Sequence, residues 1–172
     1  MNTKLVLTLV RETAKIYLHE HQTISVSNDL PSWLLKNKFA VYITAYDYNG
    51  NIRSQAGYYM PKQTFIAKEI ITNTINCVKG IGKYKPILLT ELPGLKFKID
   101  IIVELILCST ICKVNPLKDG LLVLPKTKKV GIALPPQTSS EIMLSLACQQ
   151  ALVDQLNDIY SLYRLRTKQF SE

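Results

Sequence analysis

The chain has 172 residues, is 47% hydrophobic and carries a formal net charge of +8. That is long and apolar enough for a single domain, 1–172, with a substantial core and at most a small accessory lobe. Cys77, Cys108, Cys112 and Cys148 form no C-x-x-C pair, and His19 and His21 lie far from them in sequence, a spacing that argues against zinc. The run LVLTLV between Lys4 and Arg11 is too short for a signal-peptide core, and the longest later apolar run is broken by Glu104. The chain therefore reads as cytoplasmic, with reduced thiols and no membrane span. Ten lysines lie between Lys79 and Lys129 against only four acids, a balance that would attract an anionic partner. Yet arginine, the preferred reader of phosphates and bases, occurs only at Arg11, Arg53, Arg164 and Arg166. A solvated lysine surface is the better account, and nucleic-acid binding is disfavoured.

Asn2 to Glu20 reads as a helix that Thr3 can cap, with Leu5, Leu9, Ile16 and other apolar residues on a broad face that covers a sheet. From His21 to Lys38 the periodicity fails. Asn28-Asp29 and Pro31 are turn chemistry, and Trp33, Leu34 and Leu35 form a short segment pinned to the core.

The stretch 41–61 is the most informative. Asn49-Gly50 predicts a two-residue type I′ turn, since both central residues tolerate φ > 0. That turn sets Tyr48 against Asn51, Tyr46 against Arg53, Thr44 against Gln55 and Tyr42 against Gly57, and directly opposed residues share a face. The other face then holds Val41, Ile43, Ala45, Ile52 and Ala56, interrupted by Ser54 and by Asp47 beside the turn. One face is buried and one is left polar. Gly57 removes the side chain that would crowd Tyr42.

Pro61 suits the first turn of the next helix, in which Ile66, Ile70, Ile71, Ile75 and Val78 recur until Gly80 supplies a left-handed cap. Gly80-Ile81-Gly82 begins like a dinucleotide fingerprint, but Lys85 stands where the third glycine belongs and the glycines end a helix rather than open one. After Pro86 and Pro93-Gly94, Leu95, Phe97, Ile99, Ile101 and Val103 alternate with Lys96, Lys98, Asp100, Ile102 and Glu104. This predicts a strand with one wet face. Leu105 to Pro116 fits either a continued strand or a loop, with Cys108 and Cys112 as buried fillers. Leu121–Leu124 and Lys129–Leu134 form a second hairpin through a lysine-rich tip. Thr138 and Glu141 make a capping box for a helix to about Val153, with a buried stripe of Ile142, Leu146 and Leu152 and with Cys148 inside it. Ile159 to Phe170 is a closing strand. The class is α+β, with a mainly antiparallel, barrel-like sheet and covering helices.

The catalytic patterns G-x-S-x-G, P-loop and H-E-x-x-H are absent. The candidate site is the polar hairpin face of Tyr42, Thr44, Tyr46, Arg53 and Gln55, where Arg53 can fork a carboxylate or phosphate and Gln55 can both donate and accept. That equipment suits holding an anionic small molecule or a partner's carboxylate better than transforming it. The competing account is that Arg53 only stacks on Tyr46, a cross-strand cation–π pair of about 0.5–1 kcal/mol when exposed.

Ile52-Arg53-Ser54-Gln55-Ala56-Gly57 resembles the L-R-G-C-I-G signature of the AMMECR-one domain family. The opening KLVLTLVRETAKIYL, FAVYITAY, GKYKPILLTELPGLKFKIDIIVEL, NPLKDGLLV, KKVGIALPP, CQQALV and YRLRTKQFSE resemble the family's other segments in order. The resemblance implies an α+β domain of unestablished activity whose signature hairpin lines a cleft, and which is associated with Memo-type and radical SAM proteins. Ser54 and Gln55 replace the signature's glycine and cysteine, so a mechanism needing that thiolate is unavailable. Lys83-Tyr84 replaces the family's Arg-Phe. Cys148-Gln149-Gln150-Ala151-Leu152 keeps the cysteine of a C-R-K-A-G-L-like stretch but loses its basic pair and its glycine, and the resemblance adds Cys148 to the candidate ligand-binding residues. An enzyme subunit with Cys148 or Glu104 brought to the cleft is the alternative to a non-catalytic module.

Overall fold

The computed structural model describes residues 3–126 and 129–172, without the Cys112 side chain. Expectations for Asn2, Cys112 and the Thr127-Lys128 tip lie outside the described residues. In chain order the elements are α1 (Thr3–Glu20), α2 (Ser32–Lys36), β1 (Ala40–Tyr46), β2 (Ile52–Gly57) and α3 (Ile66–Lys79). A 3-10 helix (Leu89–Gly94), β3 (Lys96–Cys108), a 3-10 turn (Ile111–Lys113), β4 (Asp119–Pro125), β5 (Gly131–Ala133), α4 (Ser140–Ala151) and β6 (Tyr160–Ser171) follow. The class is α+β, with a six-stranded antiparallel sheet in the order β2-β1-β3-β6-β4-β5. By internal contacts the chain divides into two compact units, Met1–Ile101 with Gln169–Glu172, and Ile102–Lys168. Among the described residues no helix is long and apolar enough to cross a membrane.

In the first unit α3 packs on β1 and β2, and α1 and α2 pack on α3. Val6, Val10 and Ala14, four residues apart, form the buried stripe of α1, and Leu5, Leu9 and Ile16 flank it half-buried. Helix α3 begins at Ile66 rather than near Pro61. The buried Glu69 explains the delay: its Oε2 accepts the N–H groups of Lys62 (3.0 Å) and Gln63 (2.6 Å), tying the preceding segment into a turn of its own. The helix ends as the sequence predicts, with Gly80 at φ +72° and its N–H donating to Cys77 O.

The wet face predicted for β3 is corrected. Lys96 and Glu104 are exposed, but Lys98, Asp100 and Ile102 are buried. Lys98 Nζ donates to Asp100 Oδ2 at 2.8 Å, so each charge enters the interior with its partner.

In the second unit β4 lies between β5 and β6, with Leu122 opposite both Ile132 and Tyr163. Strand β3 continues through the stretch left open by the sequence, as far as Cys108, and β5 is shorter than predicted. Helix α4 is capped by Ser139, whose hydroxyl accepts Ile142 N–H at 3.3 Å, and not by Thr138. Its buried face is also different: Met143, Ala147, Cys148 and Ala151 are inside, while Ile142, Leu146 and Leu152 are exposed. The cause is the approach of the helix to β5. A Cβ at Gly131 would stand 1.7 Å from Ala147 O and 3.0 Å from Ala151 Cβ. Backbone meets backbone there, so only small residues fit at Ala147 and Ala151, and the larger Ile142 and Leu146 turn out.

Leu152, the C-cap of α4, sits at φ +57°, ψ +41°, a conformation that costs a side-chain-bearing residue roughly 1–2 kcal/mol. Leu152→Gly is therefore expected to raise stability by about 1 kcal/mol in urea unfolding. Gly131→Ala is expected to lower it by about 3 kcal/mol or more, because a backbone carbonyl cannot yield to the added methyl.

Candidate functional site

The hairpin joining β1 and β2 departs from the predicted turn in a way that decides the site. Asp47 N–H donates to Asn51 O (2.9 Å) and Gly50 N–H to Asp47 O (3.0 Å), with Gly50 at φ +82°. Asp47 Oδ1 also accepts the N–H groups of Asn49 and Asn51, each at 2.9 Å. The loop is thus the three-residue Tyr48-Asn49-Gly50, closed by Asp47 opposite Asn51. Tyr46 consequently pairs with Ile52 and not with Arg53, and a bulge between Ala45 and Tyr46 restores the predicted pairs Thr44↔Gln55 and Tyr42↔Gly57. Arg53 is the extra residue of that bulge, and bulges re-aim side chains. Ile52, predicted on the core face, is 48% exposed.

The bulge sends Arg53 to the segment before β3. Its Nε donates to Glu91 Oε2 (2.7 Å), and Nη2 donates to Glu91 Oε1 (3.0 Å) and to Pro86 O (2.8 Å). Nη1 donates to Lys85 O at 3.0 Å. The fork that the sequence assigns to an anionic ligand therefore grips an internal carboxylate and two main-chain carbonyls. Arg53–Tyr46 stacking is not among the cation–π contacts of the described residues. Hydrogen bonds from Arg53, and one from Leu88 N–H, hold the Glu91 carboxyl below its ordinary value against partial desolvation.

Tyr42 and Gln55 are brought together around a hollow of about 140 Å³, completed by Ala56, Gly57, Tyr58 and, from the α3 side, Asn76 and Ile81. Gln55 Nε2 donates to Thr44 Oγ1 at 3.0 Å, and Thr44 is itself buried beneath it. A Cβ at Gly57 would stand 2.6 Å from both Tyr42 Cγ and Val41 O, so the close packing against Tyr42 depends on glycine, as the sequence predicts. Burial, and then the neighbouring Tyr58, push the Tyr42 phenol well above its usual range.

Tyr46 faces other company. Its phenol is pushed up by burial, then by Asp100 and Tyr84. Asp100 is 0% exposed, and burial raises its carboxyl above the usual range although Lys98 opposes the shift. Its Oδ1 has no hydrogen-bond partner among the described residues. Beneath β2, Ser54 Oγ donates to Cys77 O at 2.6 Å, and burial pushes the Cys77 thiol up to about 11. Cys148 belongs to the core of the second unit with Leu121, Val123, Ala133 and Met143, and burial raises its thiol while Tyr160 opposes the shift. Glu104, also in that unit, is exposed and paired with Arg166 at 3.0 Å. No cluster of three metal-capable side chains forms among the described residues.

Sequence reasoning missed Glu91, Asp100, Tyr58, Asn76 and Ile81. Only the Lys98-x-Asp100 spacing, which puts opposite charges on one strand face, carries a readable signal.

The Arg53–Glu91 pair has a specific pH signature. Because Glu91's folded value is depressed, its contribution is complete above the unfolded glutamate value of about 4.3 and is lost as pH falls through the lower folded value. Glu91→Gln is expected to lower the thermal midpoint at pH 7, with the difference from wild type disappearing in acid. Arg53→Met is expected to keep a residual deficit there, because the bonds to Lys85 O and Pro86 O do not titrate.

A search of curated proteins finds no match to this chain. Its structure is similar to the crystal structure of the uncharacterized protein PH0010 from Pyrococcus horikoshii, with a TM-score of 0.87 at 22% identity over 98% of this chain and 90% of that one. At that identity the likeness speaks for the fold. The AMMECR1 family model matches residues 7–171, and with nearly the whole chain covered, this protein belongs to the AMMECR1 family.

Proposed function

We propose that this chain is a cytoplasmic, non-catalytic binding module that works through its 41–61 hairpin, with the hollow beside Gln55 as the point of contact. The observation that carries the reading is the lining of that hollow. Tyr, Gln, Asn, Gly, Ala and Ile offer hydrogen bonds and apolar surface without a group that exchanges protons near neutral pH. Gln55 commits one N–H to Thr44, and its carbonyl oxygen has no other partner among the described residues. An uncharged, hydrogen-bonding ligand group suits this lining better than an anion. A ligand carboxylate at Arg53 would first have to displace Glu91.

A second reading is favoured by Asp100. A fully buried carboxyl with a raised proton affinity beside Tyr46 is the kind of group that supports proton transfer. On that reading the chain is a subunit of a modification system with a Memo-type or radical SAM protein, an association that rests on family resemblance.

Titrating isotope-labelled protein with N-acetylglycinamide, and separately with sodium acetate, distinguishes the ligand chemistries. The expected result is amide shifts at Gln55 to Tyr58, Asn76 and Ile81 with the uncharged probe only. Shifts centred on Arg53 and Glu91 with acetate would return the site to the carboxylate-holding reading. Silence with both probes would remove the hairpin from the account.

A further inference from the structure

The hollow beside Gln55 touches Gln55 and Gly57, which share one face of β2, and also Ala56, which belongs to the other. A space in contact with both faces of a strand lies along its edge. Strand β2 ends the sheet order and pairs with β1 alone. Among the described residues no main-chain group outside β1 bonds to its backbone. In an antiparallel pair, alternate residues turn their N–H and C=O groups away from the partner. Ser54 is 0% exposed and Ala56 7%, so the open donors and acceptors of this run fall to the alternate residues Gln55 and Gly57. The far wall is Asn76 of α3 with Ile81 beyond its cap.

Resting on the binding-module reading above, we infer that this edge accepts an extended segment of a partner polypeptide as an added strand, with one side chain seated in the hollow. Three observations favour that occupant. A main-chain row is complementary to another extended main chain, while the small hollow selects one side chain of limited bulk. Edge strands are ordinarily blunted by charges, prolines or bulges. Here the bulge and the Arg53 charge protect only the turn-side end, and Ser54-Gln55-Ala56-Gly57 carries neither charge nor proline. Basic residues are at hand: exposed Lys62 lies over Tyr58 at 5.5 Å, and exposed Lys83 follows Ile81 by two residues. No acid lines the hollow. The added segment thus carries Asp or Glu beside its inserted residue. A second copy of this chain would bring another +8 to the same edge.

The test is selection of short random peptides displayed on phage against the full-length protein, followed by fluorescence anisotropy with the synthetic winner. An acidic consensus around one small apolar residue is expected. Ile81→Asp, which removes the apolar wall and repels an acidic segment, should weaken binding by about tenfold or more, with the thermal midpoint unchanged because Ile81 is 47% exposed. N-methylating the peptide backbone should weaken binding at alternate residues only, the pattern of a paired strand. A peptide indifferent to Ile81→Asp, an N-methyl effect without alternation, or no enriched sequence would overturn the inference. So would β2-dependent self-association in sedimentation. N-acetylglycinamide separates the two failures: if it binds while no peptide does, the hollow survives as a site and only the added strand falls.

Discussion

The first unit depends on two arginines that grip main chain. Arg53 holds Lys85 O, Pro86 O and the Glu91 carboxylate. Arg11 holds Leu92 O, Leu95 O and the Glu172 carboxylate. The segment 85–95, which contains the 3-10 helix Leu89–Gly94, is therefore clamped at both ends by a planar five-donor fork, the geometry that arginine has and lysine lacks. Each clamp also fixes something beyond the segment. Glu172 Oε2 accepts Phe97 N–H at 2.9 Å and so meets the start of β3, while Arg53 ties in the hairpin. Hydrogen bonds involving a charged group contribute roughly 1.5–3 kcal/mol, and both pairs are only partly exposed. They outweigh what an ordinary surface ion pair would contribute.

The bulge joins that clamp to the hollow. A two-residue turn would have kept Arg53 on the polar face beside Tyr46, available to ligands. The three-residue loop inserts one residue and the bulge absorbs it, so Arg53 leaves the face while Gln55 and Tyr42 keep their places. The pairs Thr44↔Gln55 and Tyr42↔Gly57 were legible because two shifts of register cancel beyond the bulge. The pair Tyr46↔Arg53 was not. What overrode the Asn-Gly signal is the Asp47 side chain, whose Oδ1 accepts two turn amides.

The other discrepancies share one cause: periodicity reports which residues could face a core, and close neighbours choose among them. The helix α4 was legible as a helix, but its inner side was set by β5 passing within backbone contact at Gly131. Alternation in β3 was real, but the Lys98–Asp100 pair let a charged face become an interior one. Lone residues such as Asn76 and Ile81 carry no pattern at all. The resemblance to the family's segments reached further than periodicity did. Leu152 stands where the resembled stretch carries glycine, and its left-handed backbone shows why glycine would suit that position.

Because the Arg53 anchor closes on peptide oxygens at Lys85 and Pro86, it is blind to which side chains stand there. Outside Glu91, whose carboxylate the same guanidinium grips, point replacements along that strap would slide through evolution unnoticed by the anchor, whereas inserting or deleting a single residue would carry the carbonyls out of reach. Glu91 apart, the strap is thus constrained in length rather than in spelling.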